Sequence, residues 1–126
     1  MTPEQVAKSG SEDAEQAAVF CWAASAALEW PCLRFMFAIP NGGFRFKQEA
    51  VRLKATGVKA GVPDILLPFP KFKYAGLFIE IKKKRVGRVK DNQSEWLDYL
   101  SSVGYFTAVC YGWEEAREVI LTYLRY

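Results

Sequence analysis

Asp64, Glu80 and Lys82 are the residues of this chain whose types and spacing could do chemistry. They stand in two apolar runs, Asp64-Ile65-Leu66-Leu67-Pro68 and Gly76-Leu77-Phe78-Ile79-Glu80-Ile81-Lys82. Side chains on a strand alternate faces, so Glu80 and Lys82 share one side while Ile79 and Ile81 take the other. A carboxylate and an ammonium on an otherwise buried strand are costly unless they are paired, bound to a metal or opened to a cleft. Asp64 supplies part of the explanation. Pro63 holds Val62 extended on the way into the first run, and a hairpin through residues 69–75 would bring Asp64 near the Glu80 end of the partner strand. Two carboxylates there could hold Mg²⁺ through oxygen ligands and leave positions for water and phosphate, the arrangement a metal-dependent phosphodiesterase needs. The plain alternative is a surface Glu-Lys strand motif, against which Ile79 and Ile81 mark a core strand.

The chain has no histidine. That excludes Ser-His and Cys-His nucleophile systems, HExxH metalloproteases and His-based zinc sites, and leaves carboxylates, lysine and a bound metal. Cys21, Cys32 and Cys110 are odd in number and form no CxxC pair, which argues against a disulfide framework or structural zinc. The net charge is +3, but its distribution says more: residues 82–90 read KKKRVGRVK, with no acid. A basic segment that starts at the carboxylate strand suits an anionic polymer, although an isolated run of this kind is usually a solvated loop or a localisation signal. The length of 126 residues fits one domain over residues 1–126, with 1–10 expected to be flexible. No signal-peptide pattern or membrane-length apolar stretch occurs, so a soluble, cytoplasmic protein without membrane contact is expected.

The elements that must position these residues follow from pattern and punctuation. Ser9-x-x-Glu12 reads as a capping box for a helix over residues 11–29, apolar on more than one face and ended by Pro31. Residues 33–39 read as a strand, closed by the turn signal Pro40-Asn41-Gly42-Gly43. A short basic helix over 47–56 stops at Gly57. After the two site strands and the basic segment, Asn92-x-x-Glu95 predicts a helix through Ser102, buried through Trp96, Leu97, Leu100 and Val103. A strand over 105–111 and a helix over 114–124 complete the order. An α/β fold with a mixed central sheet flanked by helices is expected.

Pro63-Asp64 and Glu80-Ile81-Lys82 in this helix and strand order resemble the PD-(D/E)XK nuclease superfamily, with its restriction-endonuclease-like core. The ordered set Ile39-Pro40-Asn41-Gly42-Gly43, Gly61-Val62-Pro63-Asp64, Ile79-Glu80-Ile81-Lys82, Gln93 and Gly104-Tyr105 resembles a stand-alone VRR-NUC domain over about residues 12–124. The resemblance implies that Asp64 and Glu80, with the backbone carbonyl of Ile81, hold Mg²⁺ or Mn²⁺. It implies that Lys82 orients or helps deprotonate the attacking water. Gln93 lies on the buried stripe of its helix; the resemblance makes it a partner of water or phosphate, whereas helix capping is the local alternative. Glu12, four residues before Gln16, is the preferred acidic residue of the first helix, with Glu15 kept as a substitute; acid in a first helical turn is favourable without any catalytic role. Asn41, Gly42, Gly43 and Arg45 are expected beside the DNA backbone, together with Lys83, Lys84, Arg85, Arg88 and Lys90 from the basic segment.

The function this implies is a metal-dependent, structure-specific endonuclease on branched DNA, a four-way junction or a flap. Resemblance to Holliday-junction resolvases implies a homodimer, since paired nicks need two related sites, and a phage or prophage setting suits a lone nuclease. Two other readings stand beside it: a non-catalytic nucleic-acid-binding module, and a restriction-type or flap nuclease on the same fold.

Overall fold

The computed structural model describes residues 1–40, 47–85 and 88–126. Its centre is a four-stranded mixed sheet in the order β1-β2-β3-β4, formed by β1 (Phe37–Ala38), β2 (Ile65–Leu67), β3 (Leu77–Lys82) and β4 (Phe106–Tyr111). β1 with β2 and β2 with β3 are antiparallel, whereas β3 and β4 are parallel and joined through a helix. The helices are α1 (Pro3–Val6), α2 (Glu12–Ala26), α3 (Lys47–Ala55), α4 (Asp91–Ser102) and α5 (Trp113–Leu124). The expected mixed sheet with flanking helices is therefore present.

β3 is buried along its whole length. Leu77, Ile79 and Ile81 join Ile65 and Leu67 of β2 in one core with Ala18, Val19 and Ala23 of α2 and Ala116, Ile120 and Leu124 of α5. α2 and α5 pack on β3 and α4 packs on β4. Each fully buried aliphatic side chain of this layer contributes roughly 1.5–3 kcal/mol, so the strand that carries the charged pair is held rigidly. α3 packs against no other helix or strand among the described residues. No helix is long and apolar enough to cross a membrane among the described residues.

Residues 1–10 contain the α1 turn, in which Thr2 and Gln5 form a reciprocal capping box around Pro3 and Ala7 is buried. Several local expectations are corrected. The cap of α2 is Ser11, whose hydroxyl accepts from the Ala14 N–H, and not Ser9. The strand expected over 33–39 is a 3-10 helix, Pro31–Phe35, followed by the two-residue β1. Pro31 sets the φ of a first helical turn, and β1 is short because its partner β2 is only three residues long. α3 ends as expected at Gly57, at φ +106.

Candidate active site

The antiparallel register of β2 and β3 pairs Ile65 with Ile79. Carried one residue further, it sets Asp64 opposite Glu80 on one face, as the alternation predicts. β2 ends there while β3 continues, which leaves the Ile81 N–H beyond the ladder. Asp64 Oδ2 accepts it at 2.7 Å, so the aspartate is fixed by the backbone of the strand that carries the other site residues.

Glu80 and Lys82 are 1% and 3% exposed. Their side chains turn away from Ile79 and Ile81 and meet Gln93 of α4. Gln93 Nε2 donates to Glu80 Oε1 at 2.6 Å, and Lys82 Nζ donates to Gln93 Oε1 at 2.8 Å. Lys82 Nζ is 3.9 Å from Glu80 Oε1, so the amide spans the pair rather than letting it close into a direct ion pair. The same Gln93 Oε1 accepts the Lys90 N–H at 2.9 Å. Capping and site contact, set against each other in the sequence, are both made by this one side chain. Lys90, and not Asn92, is the cap position of α4, so the cap expected at Asn92-x-x-Glu95 lies two residues too late.

Gly61 lets the chain entering Asp64 pass close to the first turn of α4. It adopts φ +90, and a Cβ there would stand 2.9 Å from the Asn92 carbonyl oxygen. Only glycine permits this left-handed turn at backbone contact. The chain entering Asp64 and the first turn of α4 are thereby in contact, and Gln93 of that turn reaches Glu80.

Burial first, and the Asp64 carboxylate second, push the Glu80 carboxyl up to about 8 from 4.5 against the opposing pull of Lys82, with Glu12 adding to the rise. Glu80 Oε2 is buried and meets no N–H or hydroxyl donor, and a side-chain hydrogen bond with Asp64 adds to the rise. Two facing carboxylates with one such oxygen fit a hard divalent cation that completes its shell with backbone oxygen, water and phosphate. No cluster of three or more His, Cys, Asp and Glu residues suited to a metal occurs among the described residues. The buried Cys110 is no nucleophile: burial holds its thiol up to about 12.

The other expected site residues are distributed as follows. Glu12 is exposed in the first turn of α2 and acts on Glu80 through its charge. Glu15, its substitute, is 2% exposed and turned elsewhere: Oε1 accepts the Trp113 N–H at 3.0 Å and caps α5, whose own cap position is Gly112. Lys83, Arg85, Arg88 and Lys90 are exposed. Lys84 is paired with Glu114 at 2.8 Å, and its stem lies over Gly112, so it braces the start of α5. Asn41, Gly42, Gly43 and Arg45 lie outside the described residues, as do Val86 and Gly87 in the basic segment. The roles of Gly61 and Glu15 went unread in the sequence. Gly61 carries a local signal, a glycine before Val-Pro-Asp, whereas nothing local ties Glu15 to a residue 98 positions away.

Comparison with known proteins agrees with this fold. The profile of the VRR-NUC domain matches residues 10–114. A solved structure described as a VRR_NUC domain protein is 30% identical, covers 91% of this chain and 88% of its own, and superposes with a TM-score of 0.77. No curated protein matches the chain. The matched span contains Asp64, Glu80, Lys82 and Gln93, and the fold is of the nuclease type. The chain belongs to the VRR-NUC domain family.

Proposed function

We propose that this chain is a Mg²⁺- or Mn²⁺-dependent endonuclease that hydrolyses phosphodiester bonds in branched DNA, acting on four-way junctions as a homodimer. The observation that carries the reading is the buried Glu80 and Lys82, spanned by Gln93, with the half-buried Asp64 facing Glu80. A protein that only bound nucleic acid would have no use for two facing carboxylates in the core of a basic surface, where they repel phosphate and destabilise each other.

Asp64 and Glu80, with the Ile81 carbonyl, would hold the cation. Once bound, it would lower the pKa of water and stabilise charge on the phosphoryl oxygens. Asp64 is prevented from swinging by the Ile81 N–H. Gln93 Nε2 holds one oxygen of Glu80 and leaves Oε2 without a donor. Lys82 spends one N–H on Gln93 and has two others with which to orient the attacking water and neutralise charge as the phosphorus becomes five-coordinate. The exposed Lys83, Arg85, Arg88 and Lys90 would follow the DNA backbone and set affinity rather than sequence preference.

The test is cleavage of labelled four-way junction, flap, linear duplex and single strand, each with Mg²⁺, Mn²⁺ or chelator. Paired symmetric nicks in the junction, dependent on metal, are expected. Equal cutting of linear duplex contradicts structure specificity, and a monomeric mass at assay concentration contradicts paired cleavage.

A further inference from the structure

Asp64 and Glu80 stand at the open end of the β2–β3 hairpin, so its tip lies at the other end of the sheet, on the order of 20 Å away at about 3.3 Å per strand residue. The tip is a two-residue turn. Lys71 and Tyr74 exchange both backbone hydrogen bonds, at 3.1 and 2.9 Å, around Phe72 and Lys73. Phe72 has φ +52, and Lys73 is not left-handed. A positive φ at the first central residue alone is the type II′ pattern, and that position belongs to glycine. A bulky side chain there is strained, and such strain persists where a function retains it. Burial does not compensate, because Phe72 is 78% exposed.

The exposed ring is part of an ordered group. It stacks on Tyr126 with 6.1 Å between centroids and a 27° interplanar angle, and meets Tyr74 edge-on at 6.3 Å. Lys73 Nζ lies 5.9 Å from the Phe72 centroid and 5.6 Å from that of Tyr74. From below, the Tyr123 hydroxyl donates to the Phe69 carbonyl at 2.6 Å and pins the hairpin to α5. Residues 65–79 contain no acid, and their charges are Lys71 and Lys73. Beside the tip runs a groove of about 500 Å³ lined by Lys73, Tyr74, Ser101, Ser102 and Thr107.

We propose that this tip is a second nucleic-acid contact, a stacking platform for an unpaired base whose phosphates run past Lys71 and Lys73. Aromatic faces interleaved with ammonium groups, beside a groove of hydroxyls, match the two faces of a single strand, the π-surface of the base and the charge of the backbone. The core of a protein–protein interface is depleted in lysine, which disfavours a second copy of the chain as occupant. A base arriving on Phe72 displaces the Lys73 ammonium from the ring onto the adjoining phosphate. The inference rests on the proposed nuclease reading for the identity of the polymer. It adds that the unpaired strand of a flap-type branched substrate is held at a distance from the cutting site.

Anisotropy of a short labelled single strand, measured in chelator so that nothing is cut, tests it with Phe72→Gly and Lys73→Ala. Phe72→Gly is expected to weaken binding about tenfold while the melting temperature holds or rises, because glycine suits the turn. Lys73→Ala is expected to weaken binding and flatten its salt dependence. Parental affinity in both tip variants overturns the proposal. So does a fall from dimer to monomer in Phe72→Gly with single-strand affinity unchanged, which would assign the tip to a second copy. Loss of strand binding in the tip variants, with no metal-dependent cleavage by the parent, removes the nuclease reading and keeps the platform. Cleavage together with parental strand binding by the tip variants does the reverse.

Discussion

Gln93 donates to Glu80 from Nε2 at 2.6 Å, and its remaining atoms make this one hydrogen bond the keystone of the site. Its oxygen serves both Lys82 and the start of α4. Gln93→Ala should release Lys82 toward Glu80, 3.9 Å away, and collapse the separated pair into an ion pair. Groups that orient metal ligands cost about 10–100-fold when removed, so single-turnover cleavage is expected to fall by that factor. Loss of the Lys90 cap adds about 1 kcal/mol of destabilisation, read by denaturant titration. Parental cleavage in Gln93→Ala would reduce the residue to a cap.

Glu80 should make the metal-free protein sensitive to pH. Its carboxyl is pushed up to about 8 from 4.5, so between these values the folded protein keeps a proton that the unfolded chain has released. The stability this gives is fully present below pH 4.5 and is lost as pH rises through about 8. At about 1.4 kcal/mol per pK unit, the loss is on the order of a few kcal/mol. Urea unfolding in chelator should show the slope in the parent and lose it in Glu80→Gln. Mg²⁺ should raise the melting temperature more at pH 8 than at pH 6. A parent stability that does not change over this range would contradict the assigned environment.

Gly61 is expected to tolerate no side chain. Gly61→Ala sets a Cβ 2.9 Å from the Asn92 carbonyl oxygen in a left-handed conformation, at a cost of about 1–3 kcal/mol. Because the clash pushes on the first turn of α4, cleavage per folded molecule should fall as well. A variant as stable and active as the parent would show that α4 is not braced there.

The two acids of α2 should separate cleanly. Glu15→Ala leaves the buried Trp113 N–H without an acceptor and should cost about 2 kcal/mol. Glu12→Ala removes an exposed side chain and should change stability by less than about 0.5 kcal/mol. Equal effects in denaturant titration would contradict the assignment of Glu15 to the α5 cap.

The site was legible in the sequence where strand alternation and a short hairpin did the work. Asp64 meets Glu80 because register follows from adjacent residues, and Glu80 with Lys82 share a face because strands have period two. The stripe of α4 pointed Gln93 at the sheet for the same local reason. Helix ends were read less well: Ser9 and Ser11 offer the same hydroxyl two residues apart, and only the folded backbone chooses. The 3-10 helix at Pro31–Phe35 replaced an expected strand: Leu33 and Met36, three residues apart, are buried while Phe35 and Phe37 are exposed, the spacing of a helical turn rather than of strand alternation. Glu15 on Trp113 could not be read, because the contact exists only once α2 and α5 share the face of β3.

The central claim is that Asp64, Glu80 and Lys82 form a metal-dependent cutting site. The most direct measurement is single-turnover cleavage of a labelled four-way junction, comparing Mg²⁺ with chelator, by the parent and by folded Asp64→Asn, Glu80→Gln and Lys82→Ala. Nicking that requires Mg²⁺ and falls by at least about a hundredfold in each variant, with junction binding retained in chelator, is the predicted result. Nicking that persists in chelator, or in Glu80→Gln at the parental rate, would contradict it.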